Sequence, residues 1–123
     1  MRPDEVYWLA VEDIVAFHDA QLSLFGGATG VLNEGQLLAA VSAPEMVLAY
    51  QPDADLFDLA AAYAYHLCQA HAFVDGNKRT AFLATLTFLQ VNGRLIPDEA
   101  GAPVGELILA LASGRAGRAE AAV

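Results

Sequence analysis

Apolar residues recur at three- and four-residue spacings along much of this chain, and the polar and Gly/Pro positions cut that pattern into helices. Val11, Ile14, Val15, Leu22 and Phe25 predict a helix over Val11–Phe25. Its start is weakly marked, because Ala10 stands where an N-capping Ser or Thr would be expected. The run Phe25-Gly26-Gly27-Ala28-Thr29-Gly30 breaks the pattern. Asn33, with Gln36 at the third helical position, then predicts a capped short helix over 33–42, closed by Pro44. Residues 46–55, with Pro52, predict a connection, and Asp55 and Asp58 give an acidic start to a Leu-, Ala- and Tyr-rich helix over Leu56–Ala70. A further helix is predicted over 80–91, ended by Asn92-Gly93. Beyond a polar connection containing Pro97 and Gly101, Pro103 opens a last helix carrying Val104, Leu107, Ile108 and Leu111, stopped by Gly114. Residues 6–9 predict a short extended segment, with 1–10 and the tail 115–123 peripheral. There is no internal repeat and no dividing linker, so the expectation is an all-α, compact single-domain bundle over 1–123, built around the helices flanking residues 71–80.

Composition narrows the function more than the fold. At 123 residues the chain is long enough to bury a core without metals or disulfides. A net charge of −9, with only six Lys and Arg, argues against a nucleic-acid binder, which needs clustered basic residues. The lone Cys68 excludes an intrachain disulfide and reads as a small core residue of a protein kept in a reducing cytoplasm. Residues 1–5 lead into a short apolar run followed by acidic residues, so no signal peptide is expected. Asp58, His66, Gln69 and Gln90 interrupt the apolar runs, so no membrane span is expected either. At 56% hydrophobic residues, the chain predicts some apolar surface that meets a partner.

Most of the polar chemistry sits in one decapeptide, His71-Ala72-Phe73-Val74-Asp75-Gly76-Asn77-Lys78-Arg79-Thr80, between two apolar helices. A loop that feeds a helix N-terminus presents unpaired backbone N–H groups and the positive end of the helix dipole, which together favour an anion. Gly76 allows close approach of backbone to ligand. Lys78 and Arg79 add two full charges, so a phosphate is the natural occupant. Asp75 alone reads as an N-cap; beside phosphates it reads better as a ligand of Mg²⁺, which takes one or two carboxylates plus phosphate oxygens. His71, titrating near neutrality when unperturbed, is placed to accept a proton from a hydroxyl, and a purely capping role is the alternative. Phe73 reads as an anchor of the loop in the core. Asn77 holds the loop through side-chain to backbone bonds or touches phosphate as well. Thr80 reads as structural, and His18 as a partly buried, hydrogen-bonded histidine. His66 and His71, five residues apart, point away from each other on a helix and make a zinc site improbable.

The stretch H-x-F-x-D-G-N-K-R resembles the signature of the Fic/Doc family, and within it the death-on-curing branch. Fic members carry H-P-F-x-[DE]-G-N-G-R; this chain has Lys78 in place of the second glycine and lacks the second arginine. The likeness extends over residues 9–19, 25–27, 30–43 and 56–93. It implies a helical Fic/Doc fold and a transferase using ATP and Mg²⁺. His71 is then the base, Asp75 the metal ligand, and Gly76, Asn77, Lys78 and Arg79 the nucleotide-binding residues, with Lys78 and Arg79 also catalytic. Fic proteins transfer AMP to a target hydroxyl; the Doc type is a kinase acting on a threonine of elongation factor Tu, which arrests translation. Lysine at position 78 favours the kinase, whereas Gly76 is Fic-like where the branch's founding member has alanine. A catalytically silent interaction protein is the third reading. Self-restraining Fic proteins carry [S/T]-x-x-x-E-[G/N]; here Glu34-Gly35 is preceded four residues earlier by Gly30, so the resemblance implies restraint by a separate antitoxin with a disordered tail.

Overall fold

The computed structural model of the protein describes residues 1–28 and 30–94. Among them, a 3₁₀ turn, Pro3–Glu5, precedes four α-helices: α1 Val11–Phe25, α2 Glu34–Tyr50, α3 Leu56–Ala70 and α4 Asn77–Val91. The helix expected after Pro103 and the tail lie outside the described residues.

The centre of the bundle is α3, which packs against both α2 and α4, while α1 packs against α4. Its sequence explains the position. Leu59, Ala60, Ala61, Ala62, Tyr63 and Ala64 are all buried, and six consecutive apolar residues cover every face of a helix, so this stretch has to be enclosed by neighbours. The alanines let helices approach closely, and the large side chains between them fill the core: Ile14, Leu37, Leu59, Tyr63 and Phe88 are essentially inaccessible. Each such side chain contributes about 1.5–3 kcal/mol on burial. Tyr63 and Phe88 meet at 4.9 Å between ring centroids, tying α3 to α4. The Asp55/Asp58 capping box starts α3 as read from sequence, with Asp58 N donating to Asp55 Oδ1 at 2.8 Å and Asp55 N to Asp58 Oδ2 at 2.9 Å.

Two boundaries differ from expectation. Pro44 does not close α2, which continues to Tyr50. Proline in a helix interior costs about 3 kcal/mol through the missing N–H and the clash with the preceding turn. The buried stripe Leu37, Ala40, Val41, Pro44, Val47 and Leu48 runs straight across it, and burial of Pro44, Val47 and Leu48 against the neighbouring core offsets that cost. The predicted connection 46–55 therefore shrinks to 51–55. Helix α4 begins at Asn77, not Thr80, so Asn77, Lys78 and Arg79 form its first turn. Three polar residues carry no apolar period, and the pattern becomes visible only at Thr80.

The N-terminal lead-in is tied to the bundle. Leu9 N donates to the Tyr63 hydroxyl at 3.0 Å. Asn92 brackets Tyr7, accepting from its N–H at 2.9 Å and donating to its carbonyl at 3.1 Å. Val6 and Leu9 belong to the core.

Cys68 and Tyr63 give the core a pH signature. Burial pushes the Cys68 thiol from 9.0 up to about 11 and the Tyr63 hydroxyl from 10.0 up to about 12. Above pH 9 the unfolded chain therefore loses protons that the folded chain still holds. The stability these groups contribute is complete below pH 9 and is lost as pH rises to about 11 for Cys68, and from 10 to 12 for Tyr63. Each tenfold change in ionisation is worth about 1.4 kcal/mol. Urea midpoints should fall steeply above pH 9 in the parent and less steeply in Cys68→Ala. The native thiol should resist iodoacetamide at neutral pH and react once the chain is unfolded.

Candidate active site

His71 ends α3 in the left-handed region, with φ 45° and ψ 44°. That conformation, for which histidine is one of the more tolerant residues, turns the chain out of the helix and leaves the side chain exposed. Among the described residues the ring makes no hydrogen bond or ion pair, so both nitrogens are open to a substrate.

The residues after it are strapped to the segment that follows α1. Ala72 O accepts from Leu32 N at 2.6 Å and Asn33 N at 3.1 Å; Val74 N donates to Gly30 O at 3.2 Å; Val31 and Phe73 form an isolated antiparallel bridge. Phe73 is buried, as read from sequence, and its ring stacks on His18 at 3.9 Å and 10°. Asn77 closes the loop on itself: its Nδ2 donates to Phe73 O at 2.9 Å and its Oδ1 accepts from Phe73 N at 3.1 Å.

His18 is buried, and its Nε2 lies 2.8 Å from the Asp75 carbonyl. It therefore fixes the backbone of Asp75 while leaving the carboxylate exposed at the surface. Asp75 is not the N-cap of α4; Gly76 takes that position, and no side chain caps the helix. The Asp75 carboxylate instead accepts from Gly76 N through Oδ1 at 2.8 Å. Its Oδ2 occupies space that a Cβ on Gly27 would invade, at 2.8 Å. The absent side chain of Gly27 is thus a cradle for the carboxylate.

Gly76 is held to glycine twice over. Its φ of 77° is left-handed, and a Cβ there would collide with Nε2 of the buried Gln21. Gly76→Ala should cost about 2–4 kcal/mol, combining left-handed strain with overpacking. Urea unfolding checks the size, and adding Gln21→Ala should recover only the overpacking share.

The intrahelical ladder of α4 begins with Thr80 N donating to Gly76 O at 3.0 Å. The N–H groups of Asn77, Lys78 and Arg79 precede it and face an anion site by geometry. Lys78 and Arg79 are exposed and form no ion pair among the described residues. A cleft of about 640 Å³ gathers residues 25–27, His71 and 74–79. All six residues selected from the sequence, His71, Asp75, Gly76, Asn77, Lys78 and Arg79, line it. A second cleft, about 550 Å³ along α2 and α3, has no Asp, Glu, Lys or Arg among the described residues that line it. His66 lines that one, apart from His71.

Among the described residues no three His, Cys, Asp or Glu side chains come together to hold a metal by themselves. A divalent ion in the first cleft would rest on the cradled Asp75 carboxylate and on oxygens of a bound phosphate, which suits Mg²⁺. The arrangement can thus bind a polyphosphate at a helix N-terminus and present an unengaged imidazole to an incoming hydroxyl. No described helix is long and apolar enough to cross a membrane.

Sequence reading missed His18, Gln21 and Gly27 as parts of this site. The first two lie on α1, more than fifty residues away from the loop they touch, and only folding brings them there. The Gly26-Gly27 pair was visible as a helix terminator and as part of the family likeness over 25–27, but not as a wall of the site.

Comparison with known proteins agrees with the motif. Residues 8–89 match the model of the Fic/DOC family. The chain is 34% identical over 106 residues to Protein kinase doc of Escherichia phage P1, covering 80% of this chain and 84% of that one. It is 49% identical over 71 residues to Toxin Doc of Mycolicibacterium smegmatis, covering 56% of this chain and 54% of that one. With its helical architecture, its intact loop over 71–79 and these relatives, the chain belongs to the Fic/Doc family.

Proposed function

We propose that this protein is a Doc-type toxin that transfers the γ-phosphoryl group of ATP to a hydroxyl of a target protein, a translation factor such as elongation factor Tu, and so arrests translation in the cytoplasm. The observation that carries this reading is the cleft itself: among the described residues, an imidazole without a hydrogen bond, one cradled carboxylate and two cations without an ion pair stand at a helix N-terminus that no side chain caps. The names of the two relatives, one a protein kinase and one a toxin, point the same way.

In this mechanism His71 takes the proton of the attacking hydroxyl as the new O–P bond forms and the bond to ADP breaks. Lys78, Arg79 and the first N–H groups of α4 stabilise the charge that spreads over the transferred group and the leaving oxygen. Asp75 would hold Mg²⁺, whose charge would offset that of the phosphates. Asn77 and His18 keep the loop in shape, and Gly76 lets it turn under the phosphates. The domain is proposed to be single. Its restraint is assigned to an antitoxin whose disordered tail folds onto the toxin, since the self-inhibitory pattern is absent.

AMP transfer is the second reading, favoured by the Fic-like Gly76. Lys78 separates the two: a long cation where Fic loops have glycine fills the pocket that would take the outer phosphates. Lys78→Gly should therefore shift transfer from the γ- towards the α-phosphorus, with some loss of nucleotide affinity. ATP labelled at either phosphorus, with elongation factor Tu as acceptor, reports the shift. Transfer of only γ-label by both proteins would show that Lys78 does not set the orientation; α-label from the parent would establish AMP transfer.

A further inference from the structure

Arg79 has no carboxylate partner among the described residues, yet it has a defined neighbour. Its guanidinium carbon lies 4.5 Å from the centroid of the Phe25 ring. Phe25 is the last residue of α1, followed by Gly26 at φ 78°, and it forms part of the wall of the cleft that holds the motif loop. At 64% exposed, this ring contributes little to the core.

A carboxylate in the same place would orient Arg79 too, but it would occupy the N–H donors and cancel the charge. An aromatic face holds a cation through its quadrupole and leaves the five in-plane N–H donors uncommitted. The ring also shields one side of the guanidinium from water, which strengthens what the other side can do. These properties suit a group that must wait, charged and unpaired, for a polyanion.

We propose that Phe25 is a positioning residue: an aromatic rest that keeps the Arg79 guanidinium ordered over the cleft, so that binding a polyphosphate does not first have to immobilise it. This rests on the phosphate-binding reading of the cleft. Position 25 lies outside the loop motif at 71–79, in the segment 25–27 that shares the family likeness, and the ring's role follows from its exposure and its contact with Arg79.

The test separates the ring's electrons from its bulk. Phe25→Leu keeps apolar volume and removes the quadrupole; Mg²⁺–ATP affinity by calorimetry should fall about three- to five-fold, the order of an exposed cation–π contact, with the melting temperature unchanged. Phe25→Trp should match or exceed the parent, and stepwise fluorination of the Phe25 ring should weaken affinity in graded fashion. In an Arg79→Ala background, Phe25→Leu should cost nothing further. ¹⁵N relaxation at Arg79 Nε in the nucleotide-free protein should show greater mobility in Phe25→Leu. Unchanged relaxation and affinities independent of fluorination would overturn the inference while leaving the phosphate site intact. An equal loss in the Arg79→Ala background would overturn it in favour of direct contact between ring and nucleotide. A parent that does not bind Mg²⁺–ATP, with Arg79 ordering intact, would overturn the reading of the cleft and with it the purpose assigned to Phe25.

Discussion

His71→Ala should lower target modification by about 10²- to 10⁴-fold, the usual contribution of a positioned general base. The structure makes the substitution a clean one. The side chain is exposed and unengaged among the described residues, so its removal leaves no cavity and no orphaned partner. The backbone is what costs: at φ 45° alanine is less at ease than histidine, and about 1 kcal/mol of stability should go with it. His71→Asn, which tolerates the left-handed region better, should lose the same activity with less effect on the melting temperature. Turnover of elongation factor Tu beside thermal unfolding of each variant separates the two effects. Transfer at the parent rate in both variants would remove His71 from the role of base.

Asp75→Ala should fail differently, at the metal. The loop around it is held by the Asp75 carbonyl through His18 and by the side chain of Asn77 through Phe73. Deleting the carboxylate removes one hydrogen bond, that from Gly76 N, and should leave the loop standing. What should vanish is the gain in nucleotide affinity that Mg²⁺ provides, together with on the order of a hundred-fold or more of the transfer rate. Calorimetric titrations of ATP with and without Mg²⁺ check this: the parent should bind more tightly with the ion, and Asp75→Ala equally in both conditions. A preserved metal effect in the variant would leave Asp75 only its bond to the neighbouring amide.

These variants touch groups that the sequence marks directly, and the reason is chemical. His71, Asp75, Lys78 and Arg79 have to be these residue types for the roles proposed for them, so a linear string reveals them. The helices α1 and α3 are equally legible, because their apolar positions repeat at the helical period and α3 carries a capping box at its start. Pro44 misleads because a local rule about proline competes with burial of a stripe whose partner helix lies elsewhere in the chain. The first turn of α4 is hidden because Asn77, Lys78 and Arg79 are polar and add nothing to the apolar period that marks the rest of the helix. Most opaque are the supports: His18 under Phe73 and Asp75, Gln21 against Gly76, and Gly27 beside the Asp75 carboxylate. Each is defined by a contact across the fold, and a histidine, a glutamine and a glycine on or just after an amphipathic helix carry no local sign of it.

The most direct test of the central claim is the intact mass of purified elongation factor Tu after incubation with this protein, ATP and Mg²⁺. The account predicts a gain of one phosphoryl group, absent with His71→Ala. A gain of one adenylyl group would contradict phosphoryl transfer, and an unmodified factor in the presence of demonstrably bound ATP would contradict the proposed target.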